Sequence, residues 1–247
     1  DLLALAVAPH ARHVWIACGP GNNGGDGLEA ALHLQRAGRR VSIGLAPAPR
    51  QPADAAASLA RARAAGLSIG EAPGPDDGAA PVDLAIDAVF GIGRPRAAVG
   101  WPLDALRRLQ ALDAPLLSID VPSGLDADHG LPWPGVDAVR ARWTLALLTL
   151  KPGLFTAHGR DYAGEVWFDA LGESPDSPPA AELLVASEAL WPARRHAQHK
   201  GSFGDVWVVG GAPGMTGAAG LAARAALAAG AGRVHVVPLD PRAPAHD

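Results

Sequence analysis

The sequence predicts a doubly wound α/β sheet, mostly parallel, followed by the opening of a second βαβ unit. Three observations carry this reading. Short apolar runs alternate with helix-like segments; nearly every run empties into a Gly- or Pro-rich turn; and beyond residue 190 the same pattern starts again.

The elements follow in order. "DLLALAV" at the start has the look of a helix tail, and "HVWIAC" (13–18) is short, apolar and bounded by glycine, as a buried parallel strand should be. After the turn "GPGNNGGDG", a helix is expected from about Asp26 to Ala37, with Gly38 at its natural stop. "RVSIGLA" (40–46) gives the next strand and "ADAAASLARARAAG" (53–66) the next helix. "DLAIDAVFGIG" (83–93) runs from a strand into a glycine turn, a helix lies near 102–112, and "LLSIDVPSGLD" (116–126) repeats the strand-to-turn design. "WTLALLTLKPG" (143–153) and "EVWFDALG" (165–172) read as an antiparallel, hairpin-like end. The whole is a Rossmann-like three-layer sandwich over residues 1–172.

"ESPDSPPAAE" (173–182) is a linker by composition, and the linker is drawn over 173–190. Residues 191–247 then restart with "DVWVVGG" (205–211), a glycine-rich turn, the helix "LAARAALAAG" and "RVHVV". Convergence on a common βαβ solution is preferred here over internal duplication. Fewer than ~60 residues do not bury a core of their own, so this part is expected to be a truncated second domain. The chain lacks an initial Met, and both of its ends read as cut.

With 247 residues, 30 Gly, 23 Pro and a net charge of −4, the chain is a loop-rich globular protein rather than a disordered one. Its most cationic stretch, "PARRHAQHK", is too short for a nucleic-acid surface. The single Cys18 excludes an internal disulfide framework and suits a reducing, cytoplasmic compartment. No apolar run approaches the ~18 residues of a membrane span and no signal peptide is visible, so no membrane partner is expected. Homo-oligomerisation stays open.

Ligands of doubly wound sheets lie beyond the carboxyl ends of the strands. The turns 18–26, 87–97 and 120–126 should therefore converge. "GPGNNGGDG" matches neither a dinucleotide fingerprint nor a P-loop. Its glycines and the following helix start suit an anion, and Asn22 and Asn23 add side-chain amides. The alternatives are an N-cap for Asp26 and ordinary left-handed turn residues for the asparagines. Asp87 lies in an apolar run, where a carboxylate is costly unless paired, hydrogen-bonded or metal-bound. Arg94 and Arg96 in "GIGRPR" suit phosphate contacts, or simply solvent. Asp120 at the end of its strand is a candidate general acid/base. A Ser–His–Asp triad is rejected, because "VPSGL" is no nucleophile elbow and no histidine sits in a comparable turn. The histidines lack zinc spacing. Asn23, Asp87 and Ser123 would together offer an amide oxygen, a carboxylate and a hydroxyl, a set better suited to a weakly charged cation than to Mg²⁺ or Ca²⁺.

The segments "CGPGNNGGDGLEAALHL", "DLAIDAVFGIG", "LLSIDVPSGLDADHG" and "LKPGLFTAHGRDYAGEVWFDALG" resemble the NAD(P)H-hydrate epimerase family. After the linker, "HKGSFGDVWVVGGAPGMTGAAGLAARAALAAGAG" resembles the start of the ADP-dependent NAD(P)H-hydrate dehydratases, a ribokinase-like domain; the order is that of bifunctional repair enzymes. The resemblance implies that Asn22, Asn23, Gly24, Gly25 and Asp26 hold hydrated NADH or NADPH, NAD(P)HX. It implies a second substrate loop over Gly91, Ile92, Gly93, Arg94, Pro95, Arg96 and Ala97, and substrate contact through Asp120. Asn23, Asp87 and Ser123 would bind K⁺, and Ala218 would be the dehydratase's substrate-contacting alanine, with ADP and Mg²⁺ as that domain's cofactors. Ile92 and Arg94 stand where the family has Thr and Leu, which leaves backbone contacts there. The dehydratase's downstream "GTGD"-like loop is missing, so dehydration is not expected of this stretch.

The expected activity is epimerisation of the R and S forms at C6. The ring nitrogen's lone pair expels the C6 hydroxyl, water returns on either face of the planar cation, and Asp120 handles the proton. The rival reading is a non-catalytic nucleotide-binding or protein-docking module on the same fold. A sugar-kinase-like enzyme, suggested by the C-terminal unit alone, lacks phosphoryl-transfer residues.

Overall fold

The computed structural model describes residues 2–75, 81–93, 98–174, 177–184 and 194–240. The chain divides into two units, Asp1–Glu182 and Leu183–Asp247. The division falls inside the segment of linker composition.

In the first unit the elements run α1 (Leu2–Val7), β1 (His13–Cys18), α2 (Asn22–Arg36), β2 (Arg40–Leu45), α3 (Ala53–Ala64), β3 (Ser68–Gly70) and β4 (Leu84–Ala88). They continue with α4 (Trp101–Ala111), β5 (Leu116–Ile119), β6 (Trp143–Leu147), α5 (Gly159–Ala163) and β7 (Glu165–Asp169). The seven strands form one sheet in the order β3-β2-β1-β4-β5-β6-β7, and every adjacent pair is parallel. The order turns around between β1 and β4, the crevice where doubly wound sheets bind ligands.

β1 is buried at all six positions, and its side chains alternate between the two faces. Val14, Ile16 and Cys18 join Leu28, Ala31 and Leu32 of α2, Leu3 and Ala4 of α1 and Ala62 of α3. Trp15 and Ala17 join Ala105, Leu106 and Leu109 of α4 and Trp133 of the 120–142 connection. Burial on both faces explains why these strands read as unbroken apolar runs. At the opposite rim from the strand ends, Asp83 Oδ2 accepts the backbone N–H groups of Arg12 (2.8 Å) and His13 (2.9 Å), which holds its carboxyl below the usual carboxylate range. Asp83 is a structural cap.

Two expectations are corrected. The end of the domain is parallel, with Trp143 paired to Glu165 and Leu147 to Asp169. The connection from Leu148 to Gly164 is long enough for a crossover, and it carries a 3₁₀ turn at Pro152–Leu154 and α5. Second, α2 starts at Asn22 rather than near Asp26, with Gly21 at its N-cap position. Glycines cost a helix about 1 kcal/mol each, which is why the sequence favours a later start. Packing overrides that cost. Gly24, Gly25 and Gly27 face inward, and a Cβ on Gly27 would fall 2.6 Å from Ala88 Cβ and 2.9 Å from Cys18 Sγ, so only glycine lets the helix lie this close to the sheet.

The second unit contains a 3₁₀ turn (Lys200–Phe203), β8 (Asp205–Gly210), α6 (Gly217–Ala228) and β9 (Arg233–Pro238). α6 begins four residues before the apolar segment suggested, taking in the turn that follows Thr216. β8 and β9 pair in parallel. Trp207, Val209 and Leu221 are exposed, and among the described residues of α6 only Ala219 and Ala223 are buried. A single βαβ unit encloses too little apolar surface for a core of normal density. No helix among the described residues is long and apolar enough to cross a membrane.

Candidate active site

Parallel strands end on one rim, so β1, β4, β5 and β6 deliver their following turns to the same edge. Asn23 sits in the first turn of α2, directly after β1. Asp87 is the penultimate residue of β4. Asp120 and Ser123 follow β5, and Lys151 follows β6.

The hub is the main chain of Phe90. Its carbonyl accepts the Asn23 side-chain amide N–H (Nδ2···O 2.8 Å), and its N–H donates to Ser123 Oγ (2.8 Å). Ser123 Oγ in turn donates to Asp87 Oδ1 (2.6 Å). Three turns far apart in sequence are thus joined through one backbone unit.

Asp87 is completely buried, and donors surround it. Oδ1 accepts from Val89 N–H (3.2 Å) and Ser123 Oγ (2.6 Å); Oδ2 accepts from Ser118 Oγ (2.9 Å) and Ser123 N–H (2.8 Å). The loop hydrogen bonds of the structural reading are therefore present. They do not supply a counter-charge, and burial still pushes the carboxyl above the usual range. On the other arm of the Phe90 hub, Asn23 Oδ1 is buried and accepts no hydrogen bond from the described residues. An orphaned amide oxygen and a carboxylate with no counter-charge among the described residues are what a cation would satisfy.

Asp120 has a left-handed backbone, φ 71°, at the point where the chain leaves β5. Its N–H donates to Leu145 O (2.7 Å). Its Oδ1 takes the ammonium of Lys151, which also donates to Leu147 O (2.5 Å). The other oxygen, Oδ2, lies over Gly91, where a Cβ would stand 2.9 Å from it and 3.5 Å from Asn23 Cβ. Only a residue without a Cβ permits that approach. Gly91 thereby brings the second loop up against both Asn23 and Asp120.

A cavity of about 330 Å³ opens here, lined by Asn22, Gly25, Asp26, Ile92, Asp120 and Lys151 among others. It falls within the ~300–1,000 Å³ of small-molecule sites. Asp26 projects from the first turns of α2; partial burial, then the charges of Asp120 and Glu29, push its carboxyl up to about 6. It is not an N-cap, since α2 begins four residues earlier. Gly24 is buried against the turn, where a Cβ would meet Gly19 O at 1.9 Å. Gly93 is exposed beside Ile92. Arg94, Pro95, Arg96 and Ala97 lie outside the described residues. Ala218 is exposed on the first turn of α6, in the second unit.

Sequence reasoning passed over Lys151. The available signal was its position four residues beyond the apolar strand β6, before the helix-starting Pro152, in a turn that reaches the same rim as the one after β5.

Residues 2–153 match the family described as YjeF-related protein N-terminus. The chain belongs to that family. As a YjeF-related chain it also resembles curated relatives across both of its units. It is 37% identical over 242 residues to "Bifunctional NAD(P)H-hydrate repair enzyme Nnr" of Escherichia coli (strain K12), covering 93% of this chain and 45% of that protein. The protein of the same name from Moorella thermoacetica is 36% identical over 90% of this chain and 44% of its own length. For Coxiella burnetii the figures are 37%, 94% and 48%. The YjeF-related chain thus spans somewhat under half the length of these relatives. The crystal structure of yeast ynu0, YNL200c, covers 57% of this chain and 60% of its own at 24% identity, with a TM-score of 0.47.

Proposed function

We propose that the first unit interconverts the R and S forms of hydrated NADH and NADPH at C6. One observation carries the reading: Asp120 presents a free carboxylate oxygen over Gly91, in a cavity whose wall is the N-terminus of α2. The relatives named as NAD(P)H-hydrate repair enzymes support the substrate class.

The chemistry asks little of the protein. The ring nitrogen's lone pair expels the C6 hydroxyl to give a planar cation, and water returns on either face. The proton on the departing hydroxyl, and the proton shed by the incoming water, need one carboxyl group within hydrogen-bond reach of C6. Asp120 fits that role and, ionised, also steadies the cation. The unpaired N–H groups at the start of α2 suit the nucleotide's phosphate or carboxamide, with Asn22, Asn23, Gly24, Gly25 and Asp26 forming that wall. Gly91, Ile92 and Gly93 form the facing loop, and the reading extends it through Arg94, Pro95, Arg96 and Ala97.

Asn23, Asp87 and Ser123 would hold K⁺. The orphaned Asn23 Oδ1 and the counter-charge missing at Asp87 support that assignment. A bound potassium ion would supply charge balance and tie the three turns together. No step of the reaction is routed through it.

We read residues 191–247 as the opening of the dehydratase portion of a longer protein, with Ala218 as its substrate contact and ADP and Mg²⁺ as that protein's cofactors. The downstream "GTGD"-like loop of such dehydratases is not in this stretch, and no dehydration step is assigned to it. A cytoplasmic setting suits an enzyme whose substrate forms from cellular NADH and NADPH.

The test is R/S exchange in NADHX followed by NMR, with K⁺ present and then replaced by Li⁺. Asp120→Asn is expected to slow exchange at least ~100-fold. A variant at near-full rate removes Asp120 from the chemistry, and a wild-type chain no faster than spontaneous exchange leaves the docking-module reading.

A further inference from the structure

We infer that Lys151 is a positioning residue for this reaction, fixing one oxygen of Asp120 so that the other is delivered to the cavity. The inference rests on the epimerase reading and adds to it a residue, Lys151, to which that reading gives no part.

Lysine is rarely buried unless paired. Lys151 is 8% exposed and stands at the junction of two strand ends. Its ammonium has three donors. One goes to Asp120 Oδ1 and one to Leu147 O (2.5 Å), so the charge is anchored to β6 and grips the residue after β5. Side-chain exposures of 10% for Lys151 and 14% for Asp120 keep the pair out of bulk water while its edge faces the cavity.

The anchoring continues behind the lysine. Lys151 O accepts Leu154 N–H (3.1 Å), which starts the 3₁₀ turn, and Gly153 N–H donates to Ala127 O (2.7 Å). A Cβ on Gly153 would fall 2.2 Å from Asp126 O, so the turn is seated directly on the segment that follows Asp120 and Ser123. Lys151 therefore approaches Asp120 from a rigid base.

Asp120 needs such a grip. Its backbone is already fixed by the left-handed φ and the bond to Leu145 O, but a carboxyl can still rotate about its own side-chain torsions. With Oδ1 held by Lys151, rotation stops and Oδ2 is left over Gly91. Proton transfer at C6 depends on that oxygen's position, and a misplacement of about 1 Å costs on the order of 100-fold.

The experiment measures kcat and KM for R/S exchange, with thermal unfolding alongside, in wild type, Lys151→Met, Lys151→Arg, Asp120→Asn and the Asp120→Asn/Lys151→Met pair. Lys151→Met should lower kcat by about 10- to 100-fold with KM changed less than about threefold. Lys151→Arg, which keeps the charge and the donors, should recover at least part of the loss. Because Lys151 acts through Asp120, the double variant should be no more than about threefold slower than Asp120→Asn alone.

A folded Lys151→Met chain with wild-type kcat overturns the inference, as do two effects that multiply in the double variant. If Lys151→Met does not fold, Lys151→Gln decides: a lowered unfolding temperature with unchanged kcat in the folded protein makes the lysine merely structural. A wild type no faster than spontaneous exchange sinks the epimerase reading itself. An active wild type with an indifferent Lys151 sinks this inference alone.

Discussion

Replacing Ser123 with alanine removes one hydroxyl from the point where three turns meet. Ser123 Oγ gives a hydrogen bond to Asp87 Oδ1 and receives one from Phe90 N–H. Four donors point at the Asp87 carboxyl, and hydrogen bonds to the ionised carboxylate are of the stronger, charge-assisted kind. Losing one of them costs about 1.5–3 kcal/mol, and taking the Ser123 acceptor away from the buried Phe90 N–H costs about 1–3 kcal/mol more. The expected destabilisation is about 2.5–6 kcal/mol. Ser118→Ala is the internal control: it also removes one bond to Asp87 (Oδ2, 2.9 Å) but takes no acceptor away from a described backbone N–H. That change should cost about 1.5–3 kcal/mol. Urea unfolding followed by far-UV circular dichroism and tryptophan fluorescence separates the two. At a slope of about 1–3 kcal/mol per M, Ser123→Ala should show the lower midpoint by on the order of 1 M. Equal midpoints would refute the reasoning, because the Phe90 N–H would then have found another partner and the hub would not be a hub.

Other outcomes follow from the same geometry. Gly91→Ala places a Cβ 2.9 Å from Asp120 Oδ2; kinetics should show kcat for R/S exchange falling about 10- to 100-fold with little change in the unfolding temperature. Asp26 has its folded carboxyl raised from 3.8 to about 6. The unfolded chain therefore loses this proton first, and stability is lost as pH rises from about 4 to about 6 and stays lost above. Asp26→Asn should raise stability at pH 8 by about 1 kcal/mol, the figure being reduced for solvent screening of an exposed side chain, and should change nothing near pH 3.5; unfolding series at the two pH values check it. Potassium chloride should raise the unfolding temperature above that in lithium chloride at equal ionic strength, and Asn23→Ala should abolish the difference, as a scanning calorimeter would record.

Much of the frame was legible because burial on both faces forces continuous apolar runs, and a strand must end where glycine, proline or a polar residue interrupts them. β1, β2, β4, β5 and β6 announce themselves this way, and the convergence of 18–26, 87–93 and 120–126 follows from parallel topology. The start of α2 was hidden because helix propensity counts against glycine, whereas inward packing at Gly24, Gly25 and Gly27 requires it. β3 is a three-residue strand, too short for a period to register. The parallel pairing of β7 depends on a crossover whose helical content, α5, is five residues long. Lys151 escaped for a different reason: a single lysine beside a proline has the composition of any solvated turn, and the carboxylate that it pairs with, Asp120, lies 31 positions away. Asp83, just before β4, and Asp87, near its end, look alike in sequence. One caps the far rim and the other sits beneath the site.

The positive φ at Asp120 constrains anyone who redesigns that position. Such a conformation is tolerated by glycine, asparagine and aspartate and resisted by other side chains. Alanine, serine or glutamate would shift the main chain between β5 and Ser123, and with it the Phe90 hub, so a dead enzyme would say nothing about the carboxylate. Asparagine alone exchanges the acid for a near-isosteric neutral amide while leaving the peptide path intact.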